Sequence, residues 1–181
     1  MIRKVLKFFW VWQYEKEEAW LNQMSAQGWQ LISVGFCLYT FKEGVPGEYL
    51  YKLEFMDTWF SRVNNTAYIR FLEETGIEHV DSLFRWAYFR KKANEGTFEL
   101  YSDNTSKIKH YWRIISMIGL LGFANACQIP GSLHRLFDER YGTSWIVIFV
   151  FQVVLTLLFI VGITRLYVKI RRLKKEQTFK E

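Results

Sequence analysis

The sequence predicts an α+β cytoplasmic domain made of two strand-helix-strand-strand repeats, followed by a two-helix transmembrane hairpin. Three observations predict it. The stretch AWLNQMSAQGWQLISVGF, Ala19 to Phe36, is rewritten without a gap 48 residues later as AYIRFLEETGIEHVDSLF, Ala67 to Phe84. Apolar residues condense into two runs between Ile114 and Val168. Charge is segregated, with 12 Lys/Arg against 14 Asp/Glu in residues 1–106 and 7 against 2 in residues 165–181. The net charge of +6 therefore belongs to the flanks of the apolar runs. That argues against a nucleic-acid partner, which needs its basic patch on a domain face or helix.

The first repeat spans residues 4–44. KVLKFFWVW, Lys4 to Trp12, reads as a strand. Tyr14 to Gln27 reads as a helix, with Trp20, Leu21 and Met24 sharing one face at helical spacing. Gly28 stops it, because a residue without Cβ takes the left-handed conformation most readily. WQLISVGF alternates as a half-buried strand does, and CLYTFKEG reads as its partner. VPGEY supplies the turn between the repeats, with Val45 held extended by the following proline. The second repeat, residues 48–92, opens with the strand EYLYKLEF. Tyr68, Ile69 and Leu72 then take the places of Trp20, Leu21 and Met24, and Gly76 that of Gly28. One helix and three short strands bury too little surface to be stable alone, so the two units are expected to share one continuous sheet with both helices on one face. FELY, from Phe98, reads as an extra strand that closes a domain of residues 1–102. Residues 103–113 are the connector, with Asp103 and Asn104 as turn or cap residues. So short a connector predicts a domain close against the cytoplasmic leaflet.

Ser144 to Thr164 holds 21 residues without a charge, which reaches about 31 Å and crosses a hydrocarbon core of about 30 Å. The first span is placed at residues 114–130, an extracytoplasmic loop at 131–143, the second span at 144–168 and a basic tail at 169–181. Lys107, Lys109 and Arg113 precede the first run, and Arg165, Lys169, Arg171, Arg172, Lys174 and Lys175 follow the second. Cations on both outer flanks predict a multi-pass protein of the plasma membrane with both termini in the cytoplasm. Tyr111, Trp112, Tyr141 and Trp145 would form the interfacial belts. Gly119, Gly122 and Ala126 would let the helices approach, while Asn125, Gln128 and Gln152 would bond between them. Arg171, Arg172, Lys174 and Lys175 are the candidates for facing lipid headgroups.

No catalytic constellation stands out. His79, His110 and His134 fall in three different regions, and no phosphate loop, nucleophile elbow or zinc-binding helix motif is present. Neither a cofactor nor a metal is expected, nor an enzyme. EKEE, Glu15 to Glu18, reads as a solvated first helical turn favoured by the helix dipole. Cys37 and Cys127 are too far apart in the chain's organisation for a disulfide and read as small buried hydrophobes. The aromatics have two readings. They are core and cross-strand pairs, or Trp29, Tyr39, Tyr51, Trp86 and Tyr88 line a pocket between the repeats for an apolar or cationic ligand.

WLNQMSAQGWQL at Trp20 to Leu31, GEYLYKLEF at Gly47 to Phe55, WAYFRKKA at Trp86 to Ala93 and the later SDNTSK resemble the bacterial membrane proteins of the domain-of-unknown-function 2812 family. The likeness covers nearly all of residues 4–113. Members are commonly encoded beside a PadR-like transcriptional regulator, so the resemblance implies a signalling or stress-response role. It carries over no functional residue. The doubled strand-helix-strand-strand pattern also looks like that of small-molecule-binding regulatory domains, an analogy of fold alone. The expected function is thus a non-enzymatic, membrane-anchored sensor or regulatory interaction protein that contacts membrane lipids and binds a ligand or a protein partner. The alternative is an accessory subunit of a transporter or other membrane complex.

Overall fold

A computed structural model describes residues 1–56, 62–100, 104–137 and 144–178. The chain divides into two compact units, Met1–Ser102 and Asp103–Glu181.

The first unit runs β1 (Ile2–Leu6), a 3-10 turn (Val11–Gln13), α1 (Tyr14–Ala26), β2 (Trp29–Gly35) and β3 (Leu38–Glu43). It continues with β4 (Tyr49–Phe55), α2 (Arg62–Glu74), β5 (Glu78–Leu83), β6 (Trp86–Lys92) and a second 3-10 turn (Ala93–Glu95). β1 is shorter than the expected strand because, among the described residues, it pairs with β3 alone. Pairing ends at Leu6 opposite Leu38, where β3 begins at its hairpin turn. FELY forms no strand over Phe98–Leu100, and Tyr101 lies outside the described residues. Phe98 instead packs into the core of the second repeat.

The repeat is structural as well as sequential. Both sheets are antiparallel and three-stranded, ordered β1-β3-β2 and β4-β6-β5. Gly28 and Gly76 end their helices with φ of 85° and 83°. The register slips between Leu31 and Ser33 in β2 and between His79 and Asp81 in β5, at equivalent positions.

Two features depart from the expected single sheet. β2 and β5 lie side by side, but side chains take the hydrogen bonds that a ladder would use. Val34 N–H donates to Asp81 Oδ2 at 2.7 Å, and Leu31 N–H donates to the Tyr51 hydroxyl at 2.9 Å. A bulge in each facing strand breaks the regular spacing that a continuous ladder needs. The helices also do not share a face. On β6, Tyr88 meets α1 at Glu17, whereas Ala87 and Phe89 cluster with Leu72 of α2. Neighbouring strand residues point to opposite faces, so α1 and α2 pack on opposite sides of the second sheet.

α1 itself wedges between the sheets. Leu21 is fully buried, which stabilises by roughly 1.5–3 kcal/mol. Trp20 packs edge-on against Tyr39 and Phe41 of β3, with ring centroids 4.9 and 5.6 Å apart.

The second unit comprises α3 (Asn104–Ala126), α4 (Ile129–Leu136) and α5 (Ser144–Thr178). Pro130 opens a helix here instead of a loop, because its fixed φ suits the first helical turn, where an N–H is not needed. The expected loop is therefore helical in its first part. The charged residues Asp138, Glu139 and Arg140, and the belt residue Tyr141, lie outside the described residues, as does Asp103. Asn125 donates from α3 to the Gln152 carbonyl at 3.0 Å and to Thr156 Oγ1 at 2.8 Å on α5. Gly122 faces Phe159, where a Cβ would come within 3.2 Å, while Gly119 meets nothing within 4 Å. The Gln128 side chain donates back to the Ala124 carbonyl of α3 at 3.4 Å and, among the described residues, makes no bond to α5. Two helices in this unit are long and apolar enough to cross a membrane.

Candidate functional site at the joint between the repeats

The first turns of α1 carry the site. Glu17, Leu21 and Met24 follow one another at i, i+4 and i+7, which sets them on one helical face, and all three are buried. Glu17, 8 % exposed, is a carboxylate in the interior. Its Oε1 accepts the Tyr39 hydroxyl at 2.7 Å and the Tyr88 hydroxyl at 2.6 Å. Tyr39 belongs to the first repeat and Tyr88 to the second, so one oxygen joins the two. Burial raises the Glu17 pKa, and the two hydroxyl bonds oppose that rise. Burial, then the Glu17 charge, pushes both phenols far above their ordinary range, so they remain donors.

The next face of α1 holds a different set. Glu18, Asn22 and Ser25 are spaced i, i+4 and i+7 and run along the outer edge of β4. Glu18 pairs with Lys52 and accepts from Leu53 N–H at 3.3 Å. Asn22 accepts from Tyr51 N–H at 2.7 Å and donates to the Tyr51 carbonyl at 3.0 Å, as a neighbouring strand would. Ser25 donates to the Tyr49 carbonyl at 2.6 Å. Four helical residues rise about 6 Å and two strand residues about 6.6 Å, so the two repeats stay in step. Burial also raises the Glu18 pKa, against the Lys52 bond.

Of the five aromatic residues singled out from sequence, only Tyr39 and Tyr88 meet, and they meet at Glu17. Tyr51 is buried in a separate polar cluster, donating to Gln30 Oε1 at 3.1 Å. Trp86 packs between Tyr14 and Phe55, 5.3 and 5.1 Å away. Trp29 sits apart under Arg3, 5.3 Å from its ring. An open depression at the turn joining the repeats is lined by Gly47, Glu48, Lys92, Ala93 and Asn94, and none of the five lines it. The EKEE reading needs correction, since Glu17 is buried and Glu18 is paired. The i, i+4, i+7 spacing of Glu17 with Leu21 and Met24 was the signal that places Glu17 inside.

Both cysteines are free; Cys37 is half-buried and Cys127 exposed, not buried as expected. Among the described residues no group of His, Cys, Asp or Glu is arranged to hold a metal ion. In the second unit Arg171, Arg172, Lys174 and Lys175 are exposed on the last turns of α5, which continues as helix into the expected tail as far as Thr178. Lys169 lies 5.8 Å from the Tyr111 ring.

Fold and joint define a class: a doubled strand-helix-strand-strand module in one chain with two long apolar helices. Within that class the chain belongs to the DUF2812 family, described as proteins of unknown function, whose model matches residues 13–123. The match begins at the 3-10 turn before α1 and runs into α3. No curated protein and no solved structure matches the chain.

Proposed function

We propose that this chain is a non-enzymatic, membrane-anchored sensor or regulatory interaction protein, with a signalling role as the family resemblance implies. α3 and α5 cross the plasma membrane as a hairpin, both termini lie in the cytoplasm, and the doubled module binds a ligand or protein partner. One observation carries the reading: Glu17 takes a hydroxyl from each repeat. A buried carboxylate without a cation is a poor device for stability, since desolvation works against it. It is a good device for bias, because any ligand that competes for either hydroxyl changes how the repeats are held together. The exposed cations of α5 meet anionic lipid heads.

A second reading, an accessory subunit of a transporter or other membrane complex, is favoured by the apolar outward residues of α3 and α5, among them Leu120, Phe123, Val147, Phe151 and Val154. The discriminating experiment purifies the full chain in mild detergent and, beside it, a chain whose hairpin is exchanged for an unrelated two-span hairpin. A partner kept by both supports the sensor reading. A partner lost with the native helices supports the subunit reading.

A further inference from the structure

Both hairpin turns of the soluble module lie at one end of it. β4 runs from Tyr49 beside Ser25 to Leu53 beside Glu18, so β4 and α1 run in opposite directions. β5 is antiparallel to β6, and β6 to β4, so β5 runs with β4. β2 passes the Tyr51 hydroxyl at Leu31 and reaches Asp81 at Val34, so it runs with β5. The β2–β3 and β5–β6 turns therefore sit together, and the end of β1, with Leu6 opposite Leu38, joins them.

What these turns carry is unusual. Phe36 and Phe84 occupy repeat-equivalent places and are 75 % and 79 % exposed. Leu6 and Phe8 are exposed at the same end. Tight turns favour Gly, Asn and Asp, yet Phe84 itself holds a left-handed backbone, φ 55°, and Cys37 follows Phe36 with φ 58°. A bulky side chain kept in that conformation is strained, and such strain clusters at functional positions. The segments Leu6–Trp10, Gly35–Leu38 and Leu83–Trp86 carry Lys7 and Arg85 and no acidic residue, and the first turn of α1, which reaches the same end, adds Glu15 beside Lys16. Lys7 is held 4.5 Å over the Trp20 ring, and Arg85 donates to the Met56 carbonyl at 2.7 Å.

We propose that this end of the module is a bilayer-contact surface, where Phe36, Phe84, Leu6 and Phe8 enter the interface of an anionic leaflet beside Lys7 and Arg85. The proposal rests on the membrane reading above. Aromatic rings at headgroup depth with cations alongside are the chemistry of interfacial attachment. A module joined to apolar helices of bilayer length meets that surface at high effective concentration.

The test uses the full chain in vesicles of phosphatidylcholine and phosphatidylserine, in a Cys37→Ser, Cys127→Ser background. Single cysteines at Phe36→Cys, Phe84→Cys, Glu43→Cys and Val154→Cys carry an environment-sensitive fluorophore, and the lipids carry shallow or deep spin-label quenchers. The expected result is shallow quenching at positions 36 and 84 at least about twofold above that at 43, falling when phosphatidylserine is omitted, with deep quenching at 154. Positions 36 and 84 behaving like 43, while 154 is quenched, overturns the proposal. A fluorophore that is shielded at 36 and 84 without lipid quenching also overturns it, and assigns the patch to a protein partner or a second copy. Absent quenching at 154 removes the membrane reading itself, and the proposal with it.

Discussion

Glu17 separates two kinds of substitution. Glu17→Leu leaves the Tyr39 and Tyr88 hydroxyls without their acceptor, a loss of about 1–3 kcal/mol for each stranded group. Glu17→Gln keeps an oxygen for both and removes the buried charge. Because burial raises the Glu17 pKa, its contribution is fully present below the ordinary glutamate value, about 4.3. It is lost as pH rises through the raised folded-state pKa. Wild type should therefore lose stability relative to Glu17→Gln across that window, and Glu17→Gln should equal or exceed it above the window. Urea unfolding of the full chain in detergent, followed by tryptophan fluorescence at stepped pH, reads the difference. Glu18, raised in the same direction, is common to both chains and cancels. A constant difference at every pH would show that Glu17 titrates no differently when folded.

At the scale of the element, α1 replaces a missing strand. The outer edge of β4 would otherwise present unpaired backbone groups, a template for aggregation. Asn22→Ala opens the two bonds to Tyr51, a predicted loss of roughly 1–3 kcal/mol. The Tyr51 amide should then exchange with deuterium faster while the Lys91 amide on β6 is unchanged; equal rates at Tyr51 in both chains would refute the edge-strand role. The apolar helices offer a matched pair. Gly122→Ala places a Cβ 3.2 Å from Phe159 and should weaken the α3–α5 contact by about 1–3 kcal/mol. Gly119→Ala meets open space and should be neutral, or gain up to about 1 kcal/mol from helix propensity. Unfolding in dodecyl sulfate followed by circular dichroism ranks the two, and a reversed order would mean the helices pack elsewhere.

For the whole molecule, the proposed hairpin topology predicts which positions share a side. In sealed vesicles, Glu43→Cys and Glu176→Cys should react with a membrane-impermeant thiol reagent from one face, and Leu133→Cys of α4 from the other. Labelling of 43 and 176 from opposite faces would leave a single crossing. Much of this plan was legible in advance. The spacing of 48 residues carried the helix-ending glycines, and charge-free length marked the second apolar helix. What escaped was the meeting of polar groups. Tyr39 and Tyr88 were both marked for a shared site, but their common acceptor was read as solvated, since a run of four acids looks alike in a sequence whichever member turns inward.

The division has a physical cause. Helix, strand, turn and span follow from periodicities of two to four residues and from runs of apolar side chains, which the sequence displays directly. By itself it determined the repeated unit, the order of helix and strands within it, and the two apolar helices. Glu17 and Tyr88 are 71 residues apart, and their contact depends on strand order, on the paired bulges that keep β2 and β5 from forming one ladder, and on α1 entering between two sheets. None of these is a local property. Only the tertiary structure decided that the repeats are joined by a carboxylate, and that two exposed phenylalanines stand at the same end.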